Sequence, residues 1–353
     1  MFRIIRFEER ELWDKVVRSF PNHDVYYLNG YLDAFHIHGD GNPILVCYES
    51  ENLRGICAYM LRDVAQESWA RDSILAGLTY DVVTPYGYGG FIFDGDTSEK
   101  NKVAFFEEYK RFMQENHIVC AFTRWHPLLQ NQDELRGFSN VIDLGLTIDI
   151  DTSSEEIIMQ NILSKDRSTI RKAVKNGIIV KHSKESDLFP TFMDIYNQTM
   201  NKDNAIPYYY FKKEFYDSIV KNMDDNYEIF YAELDGKIIA MSIMLFCNGM
   251  MHYHLSGSIF EYRRLNATNL ILYEAALYGA QNGYKRFHLG GGVGSGEDSL
   301  FKFKKSFNKN SGNQFSISKD IFDEGTYQKL VFLRQQKDDT FNYESGFFPK
   351  YRA

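Results

Sequence analysis

Two stretches of this chain overlay each other, and that repeat restricts the fold more than any other feature. Ile44 to Tyr59 (ILVCYESENLRGICAY) can be laid without a gap on Ile229 to Met244 (IFYAELDGKIIAMSIM). Each block is an apolar run, a turn built of acidic, Asn or Gly residues, and a second apolar run, which is the pattern of a β-hairpin. Farther on, Phe106 to Asn116 lies over Leu272 to Asn282. Each of these is a helical pattern leading into a strand, Ile118 to Phe122 in one case and Tyr284 to Leu289 in the other. Between hairpin and helix each half carries a glycine-bearing segment that ends in apolar residues, Tyr86 to Phe93 and Ser256 to Phe260. The blocks keep their order while the spacing changes by a net insertion, which surface loops tolerate. A duplicated α/β unit is the expectation.

The second copy holds the densest signal, from Met251 to Phe307. Met251 to Leu255 reads as a short strand whose alternation sets His252 and His254 on one face and Tyr253 on the other. Glu261 to Asn266 is a polar crossing, and Asn266 or Thr268 can cap a helix with a side-chain oxygen. Apolar residues at helical spacing continue to Tyr278, and Gly283 stands where a left-handed residue closes a helix. After the returning strand, Gly290, Gly291 and Gly292 turn the chain tightly. A strand that feeds a helix through a polar loop makes an anion site, because the first helical N–H groups are unpaired and lie at the positive end of the dipole.

Composition narrows the partners. A net charge of −8 argues against wholesale nucleic-acid binding and against DNA, while leaving room for a local basic patch. Cys47, Cys57, Cys120 and Cys247 have no metal-ligand spacing, so reduced thiols in a cytoplasmic protein are expected. The charged N-terminus does not read as a signal peptide, and the longest apolar run, Ile238 to Cys247, is too short to span a bilayer. His252 and His254 share a face but no third ligand is evident, so no metal is expected. Leu144 to Ile150 reads as a strand followed by a helix with an acidic first turn. A basic helix comes next, in which Arg167, Arg171 and Lys175 stand four apart on one face. That stripe fits a solvated helix face, or a contact with phosphate or nucleic acid. Tyr208, Tyr209 and Tyr210 cannot all be buried, which points at least one toward a groove or solvent. Helices are expected over Leu188 to Met200, Phe211 to Val220 and Tyr327 to Gln336, a strand over Gln314 to Ser318, and an aromatic tail, Gly346 to Ala353, that packs back on the body.

Hairpin, strand, anion-binding loop, helix and strand is the order of the GNAT acyltransferase core. With RSTIRKAVKNG (Arg167–Gly177), TPYGYGGF (Thr84–Phe91), RRLNATNLILYEAALYGAQNGYKRFHLGGG (Arg263–Gly292) and DSLFKFKKSF (Asp298–Phe307), the chain resembles the Fem-type (FemA/FemB/FemX-like) peptidoglycan aminoacyltransferases. The resemblance spans roughly Val25 to Phe307 and is most specific from Asn266 to Lys304. It implies an α/β (α+β) fold of two tandem GNAT domains packed side by side, with mixed sheets flanked by helices. The division expected is 1–150 for an N-terminal GNAT-like domain, 151–182 for a linking basic helix, and 183–353 for a C-terminal GNAT domain with its tail. Ser183 to Tyr227 lacks sustained heptads, so this chain resembles members without the long coiled-coil arm.

The family implies direct aminoacyl transfer from aminoacyl-tRNA to the amine of a muropeptide or UDP-linked cell-wall precursor, with no resident cofactor and with peripheral contact to any membrane-linked substrate. Acetyl-CoA is the donor in the alternative, a GNAT N-acyltransferase acting on an amino sugar or other small amine. A catalytically silent tandem-GNAT binding module is the third reading. The CoA-dependent pattern needs glycines after the fourth strand so that bare N–H groups cradle a diphosphate. Here Arg263, Arg264, Asn266, Ala267, Thr268 and Asn269 occupy that donor loop, with Asn266 and Thr268 at the glycine positions. Their side chains crowd a diphosphate and favour another donor. Lys304 matches the lysine of the family's Phe-Lys motif and could stabilise an oxyanion or hold a phosphate; a surface lysine in a basic run is the bland alternative. Tyr253 is a candidate for proton handling, and Asp298 for orienting Lys304. Tyr86, Tyr88 and Tyr209 are candidates for acceptor contacts, and Arg167 and Arg171 for diphosphate or tRNA contacts.

Overall fold

The computed structural model describes residues 1–71, 73–338 and 341–353. Its elements follow in the order β1 (Phe2–Arg6), α1 (Arg10–Arg18), α2 (Asn29–His38), β2 (Asn42–Glu49), β3 (Leu53–Asp63), β4 (Tyr80–Val83), β5 (Ile92–Gly95), α3 (Glu99–Glu115), β6 (Ile118–Arg124) and β7 (Val141–Asp151). Then come α4 (Glu155–Asn161), α5 (Ser164–Lys175), β8 (Ile179–Ser183), α6 (Phe189–Lys202), α7 (Lys213–Asn222), β9 (Tyr227–Leu234), β10 (Lys237–Cys247) and β11 (Met250–Ser258). The chain continues through α8 (Ala267–Gln281), β12 (Arg286–Gly290), α9 (Ser299–Lys305), β13 (Asn313–Ile321) and α10 (Glu324–Lys337). It divides into two compact units, Met1–Leu144 together with Phe315–Ala353, and Gly145–Gln314.

Each unit is a mixed α/β structure, and the two sheets have the same plan. In the first the strand order is β1-β2-β3-β4-β6-β13, with β5 set beside β3. Its β4–β6 pair is parallel and its other pairs are antiparallel. In the second the order is β8-β9-β10-β11-β12-β7, and here too the fourth and fifth strands, β11 and β12, are the parallel pair. The aligned hairpins are β2–β3 and β9–β10, and the aligned helices are α3 and α8. The sixth strand is exchanged in chain order. Ile148–Asp151 of β7, which follows β6, pairs with β12, whereas Ile317–Ile321 of β13, which follows β12, pairs with β6.

The core of the second unit forms where α8 lies on the sheet. Leu270, Ile271, Leu272, Ala275 and Ala276 bury against Ile148, Ile150, Phe230, Met244, Met251 and Phe287. The helix comes close because Gly279 faces β11; a Cβ there would lie 2.5 Å from the Met251 sulfur. In the first unit Phe91, Phe105, Tyr109 and Trp125 form the corresponding core with Val46 and Tyr59. The aromatic tail packs back on this unit, where Tyr351 is fully buried with Trp69 and Tyr327. Tyr351 and Arg352 both reach the buried Asp81 carboxylate, at 2.9 and 2.6 Å.

One local expectation is corrected. Asn266 stands ahead of α8 but does not cap it, since its φ of 60° is left-handed and its side chain donates back to the Arg264 carbonyl at 3.1 Å. Gly283 does take the left-handed value expected of a helix stop, with φ 80°.

Candidate functional site

The second unit opens where its two parallel strands part. β11 and β12 pair only over Met250–His252 and Arg286–His288, while β10 stays with β11 as far as Ser258. Among the described residues no ladder joins β11 to β12 beyond that point, although both strands continue. Edges left without a ladder in this way, apart from Ser258, whose N–H bonds to the Thr199 hydroxyl at 3.0 Å, present backbone donors and acceptors that an extended ligand with amide groups can satisfy as a strand would. The β10–β11 register also slips by one residue between Ile243 and Met244, which leaves His254 unmatched. Irregularities of this kind re-aim side chains beside functional sites. Burial pushes the His254 imidazole down to about 3, and the neighbouring His252 adds to the effect, so its ring is neutral at physiological pH.

The α8 N-terminus lies at the same end, because α8 follows the C-terminal end of β11. A 3-10 turn, Phe260–Leu265, leads into it. No acidic residue stands in its first turn, and Arg263 and Arg264 are exposed beside it. The Arg263 guanidinium sits 3.6 Å from the Phe260 ring centroid. Ala267 and Asn269 are buried, and Asn269 donates to Asp166 of α5 at 3.4 Å. Arg263, Arg264, Asn266 and Thr268 remain accessible to a ligand. The positive end of the dipole and two guanidinium groups make this end of the unit attractive to an anion.

Lys304 completes this end. It stands on α9, is 8% exposed, and its Nζ donates to the Gly291 carbonyl at 2.7 Å. Gly291 follows the last residue of β12, on the side where the strands have parted. Burial pushes the Lys304 ammonium down to about 8 while Asp298 pulls it back up, so it remains mostly a cation at pH 7. Asp298 begins α9, accepting from the Phe301 N–H at 2.9 Å and from that of Val293 at 3.4 Å. These backbone bonds, more than Lys304, hold its carboxyl below the usual range. Tyr253 packs partly buried against the core, and burial raises its phenol despite the hydroxyls of Ser256 and Ser242 nearby. No hydrogen bond or ring contact among those described joins Tyr253 to Lys304.

The first unit closes the corresponding gap. Beyond the β4–β6 ladder, the Thr84 N–H bonds to the Phe122 carbonyl at 3.1 Å and the Gly89 N–H to the Arg124 carbonyl at 2.8 Å. Asn131 donates to the Gly89 and Phe91 carbonyls at 2.9 and 3.0 Å. Glycine is required in this stitch. Gly90 has φ 85°, and a Cβ there would lie 2.3 Å from the Trp125 ring. The helix that answers to α8, α3, opens on Glu99 with Asp96 just before it, a poor end for an anion. Tyr86 and Tyr88 are partly buried here, Tyr86 stacked on Phe35 with ring centroids 5.4 Å apart. Tyr88 meets Tyr26 and His126 edge-on or tilted, at 5.4 and 5.9 Å. Behind them His126 and Asp24 form a fully buried pair with Nε2 and Oδ2 2.6 Å apart. The Leu128 N–H points at Nδ1, which places the proton on Nε2.

Of the other candidates, Tyr209 lies half-buried in a short 3-10 turn with Tyr208 at 5.4 Å, and Arg167 and Arg171 line a groove between α4 and α5. Lys309, which lines the same groove, carries no sequence signal, being one loop lysine after a basic run.

Residues 161–304 match the acetyltransferase (GNAT) domain family. No curated protein matches the sequence. Among solved structures the chain is similar to the crystal structure of FemX, at 14% identity and a TM-score of 0.67, over 93% of this chain and 99% of that one. It is also similar to the C-terminal domain (DUF2156) of a putative lysylphosphatidylglycerol synthetase from Agrobacterium fabrum, at 14% identity and a TM-score of 0.53, over 93% of this chain and 94% of that one. L-PGS from Bacillus licheniformis matches at 11% identity and a TM-score of 0.52, over 89% and 96%. At these identities the likeness is one of fold. Among the described residues no helix is long and apolar enough to cross a membrane.

Proposed function

We propose that this chain, with a GNAT acyltransferase domain in its second unit and a fold shared with FemX, transfers an aminoacyl group from aminoacyl-tRNA to the amine of a peptidoglycan precursor. The observation that carries the reading is Lys304, a buried cation fixed by Gly291 at the end of the strand gap. The acceptor amine, once deprotonated, attacks the ester carbonyl carbon. A C–N bond forms and the carbonyl electron pair moves onto oxygen. Collapse of this intermediate breaks the C–O bond to the ribose, and the proton that the attacking nitrogen gives up passes, directly or through water, to the departing ribose oxygen. The Lys304 ammonium has two N–H bonds besides the one to Gly291, and one of these stabilises the oxyanion in a site shielded from water. The ammonium proton of the acceptor leaves to water or to a group of the substrate. The acceptor is a UDP-linked or membrane-linked muropeptide. The supply of aminoacyl-tRNA sets the reaction in the cytoplasm.

Asn266 and Thr268, where a diphosphate cradle would need glycines, favour an ester donor over acyl-CoA. The acetyltransferase family match supports the second reading, an acyl-CoA-dependent N-acyltransferase. The test is transfer with each donor. Turnover with aminoacyl-tRNA and a muropeptide, and none with acetyl-CoA, is the expected result. Lys304→Ala should lower kcat about 10²–10³-fold, the usual loss for one oxyanion donor. Transfer from acetyl-CoA alone would establish the second reading, and no transfer from either donor would leave a binding module.

A further inference from the structure

A groove of about 640 Å³ lies between α4 and α5, lined by Glu156, Met159, Gln160, Arg167, Arg171 and Lys309. Its cations are held by the fold. Arg167 Nη1 donates to the Met159 and Ile162 carbonyls at 3.1 and 2.6 Å, at the C-terminal end of α4. The Lys309 backbone N–H bonds to the Asn161 carbonyl at 3.1 Å, and Asn310 Nδ2 to Asn161 Oδ1 at 2.8 Å. Arg171 stands one turn beyond Arg167 and is exposed, as is Lys309. Glu156, the acid of the lining, is engaged by Gln160 Nε2 at 3.0 Å. Among the described residues, none of the three cations is in an ion pair. In a chain of net charge −8, three cations converging on a groove with one acid, Glu156, in its lining are a strong local signal.

We propose that this groove seats the phosphodiester backbone of the RNA donor, an inference that rests on the aminoacyl-tRNA reading above. Four residues of helix separate Arg167 from Arg171 by about 6 Å along the axis, room for two phosphate groups rather than one. Guanidinium groups suit phosphate oxygens in pairs. Among the described residues no aromatic ring lines the groove, so it has no platform for stacking a base and suits a backbone better than an enclosed nucleotide. α5 is tied to the start of α8 by the Asn269–Asp166 bond. An RNA held on α5 is therefore held on the same helix pair that carries the Arg263–Asn269 loop.

The test uses a fluorescent RNA hairpin ending in CCA, titrated by anisotropy across a salt series. The proteins are the wild type, the double reversal Arg171→Glu with Lys309→Glu, and a control reversal of equal charge at Lys184 and Lys221, exposed lysines outside the groove. Arg167 is left intact because it supports α4. The groove variant should bind the hairpin at least 10-fold more weakly, and its slope of log K against log salt should be shallower by about 1.5, for two lost phosphate contacts. Its transfer from a 3′-aminoacyl-adenosine, which lacks the backbone, should match the wild type, and so should its affinity for UDP. Unchanged RNA affinity in the groove variant, or an equal loss in the control, overturns the proposal. A loss confined to UDP overturns it too, assigning the groove to a diphosphate of the acceptor. If the wild type binds no hairpin and transfers from acetyl-CoA, the reading beneath the proposal has failed; if the wild type transfers from aminoacyl-tRNA and the reversal changes nothing, the groove alone has failed.

Discussion

Lys304 puts the chemistry and its pH dependence in one side chain. Burial holds it at about 8, and the proposed role requires the cation. Raising the pH through 8 removes the charge, so kcat should fall on that limb, and Lys304→Arg, which stays charged, should retain less activity at pH 7 but lose the alkaline limb. A kcat profile from pH 6 to 10 for both proteins checks this. Asp149 makes the opposite case for stability. Burial raises its carboxyl, but Arg286 at 2.8 Å, Ser311 at 2.7 Å and Asn313 at 2.8 Å together outweigh that and hold it below the usual value. A depressed carboxyl contributes stability that is present above its unfolded pKa of about 3.9 and is lost as the pH falls through the folded value. Asp149→Asn should therefore cost about 2 kcal/mol at pH 7, less than a fully buried pair because Arg286 is partly solvated, and less than that at pH 3, below the unfolded pKa. Urea unfolding at the two pH values measures it. The sequence could place Lys304 in a motif. It could not show that the amine is buried or that a glycine carbonyl receives it, since that contact depends on how the Gly290–Gly292 turn folds. Lys309 was invisible for a simpler reason: an isolated loop lysine has no periodicity from which a groove can be read.

Among the elements, local pattern served well and distant pairing did not. The two hairpins and the helices α3 and α8 follow from alternation and helical spacing within short windows, and they form where those patterns stand. The parted β11 and β12 and the stitched β4 and β6 could not be separated in this way, because both are parallel pairs with a glycine-bearing segment at or after the end of the first strand. What distinguishes them is contact across the loop: Gly89 with Arg124, and Gly90 beneath Trp125. Gly90→Ala would have to place a methyl group 2.3 Å from the Trp125 ring at φ 85°. It should destabilise the first unit by about 3 kcal/mol, combining left-handed strain with overpacking. Equilibrium unfolding followed by tryptophan fluorescence would register the change.

Across the whole molecule the duplication explains a division of roles. One copy keeps its strand gap, a helix start free of acids and a buried lysine. The other fills the gap with its glycine segment and sets carboxylates at the helix start. The units also differ in continuity. Gly145–Gln314 is unbroken, whereas the first unit needs Met1–Leu144 and Phe315–Ala353 together. A fragment of residues 145–314 should fold alone, judged by circular dichroism and resistance to protease. A fragment of residues 1–144 should not, and adding residues 315–353 in trans should restore part of its structure.

The exchanged sixth strand carries this into time. On a ribosome, chain emerges from residue 1 onward, yet β6 cannot meet β13 until residues 317–321 have left the exit tunnel. The half made first is thus finished last, and throughout synthesis of the second half its β6 edge waits without its native partner. A nascent chain stalled with residue 314 just clear of the exit tunnel should carry a protease-resistant later half and an earlier half still open to chaperones.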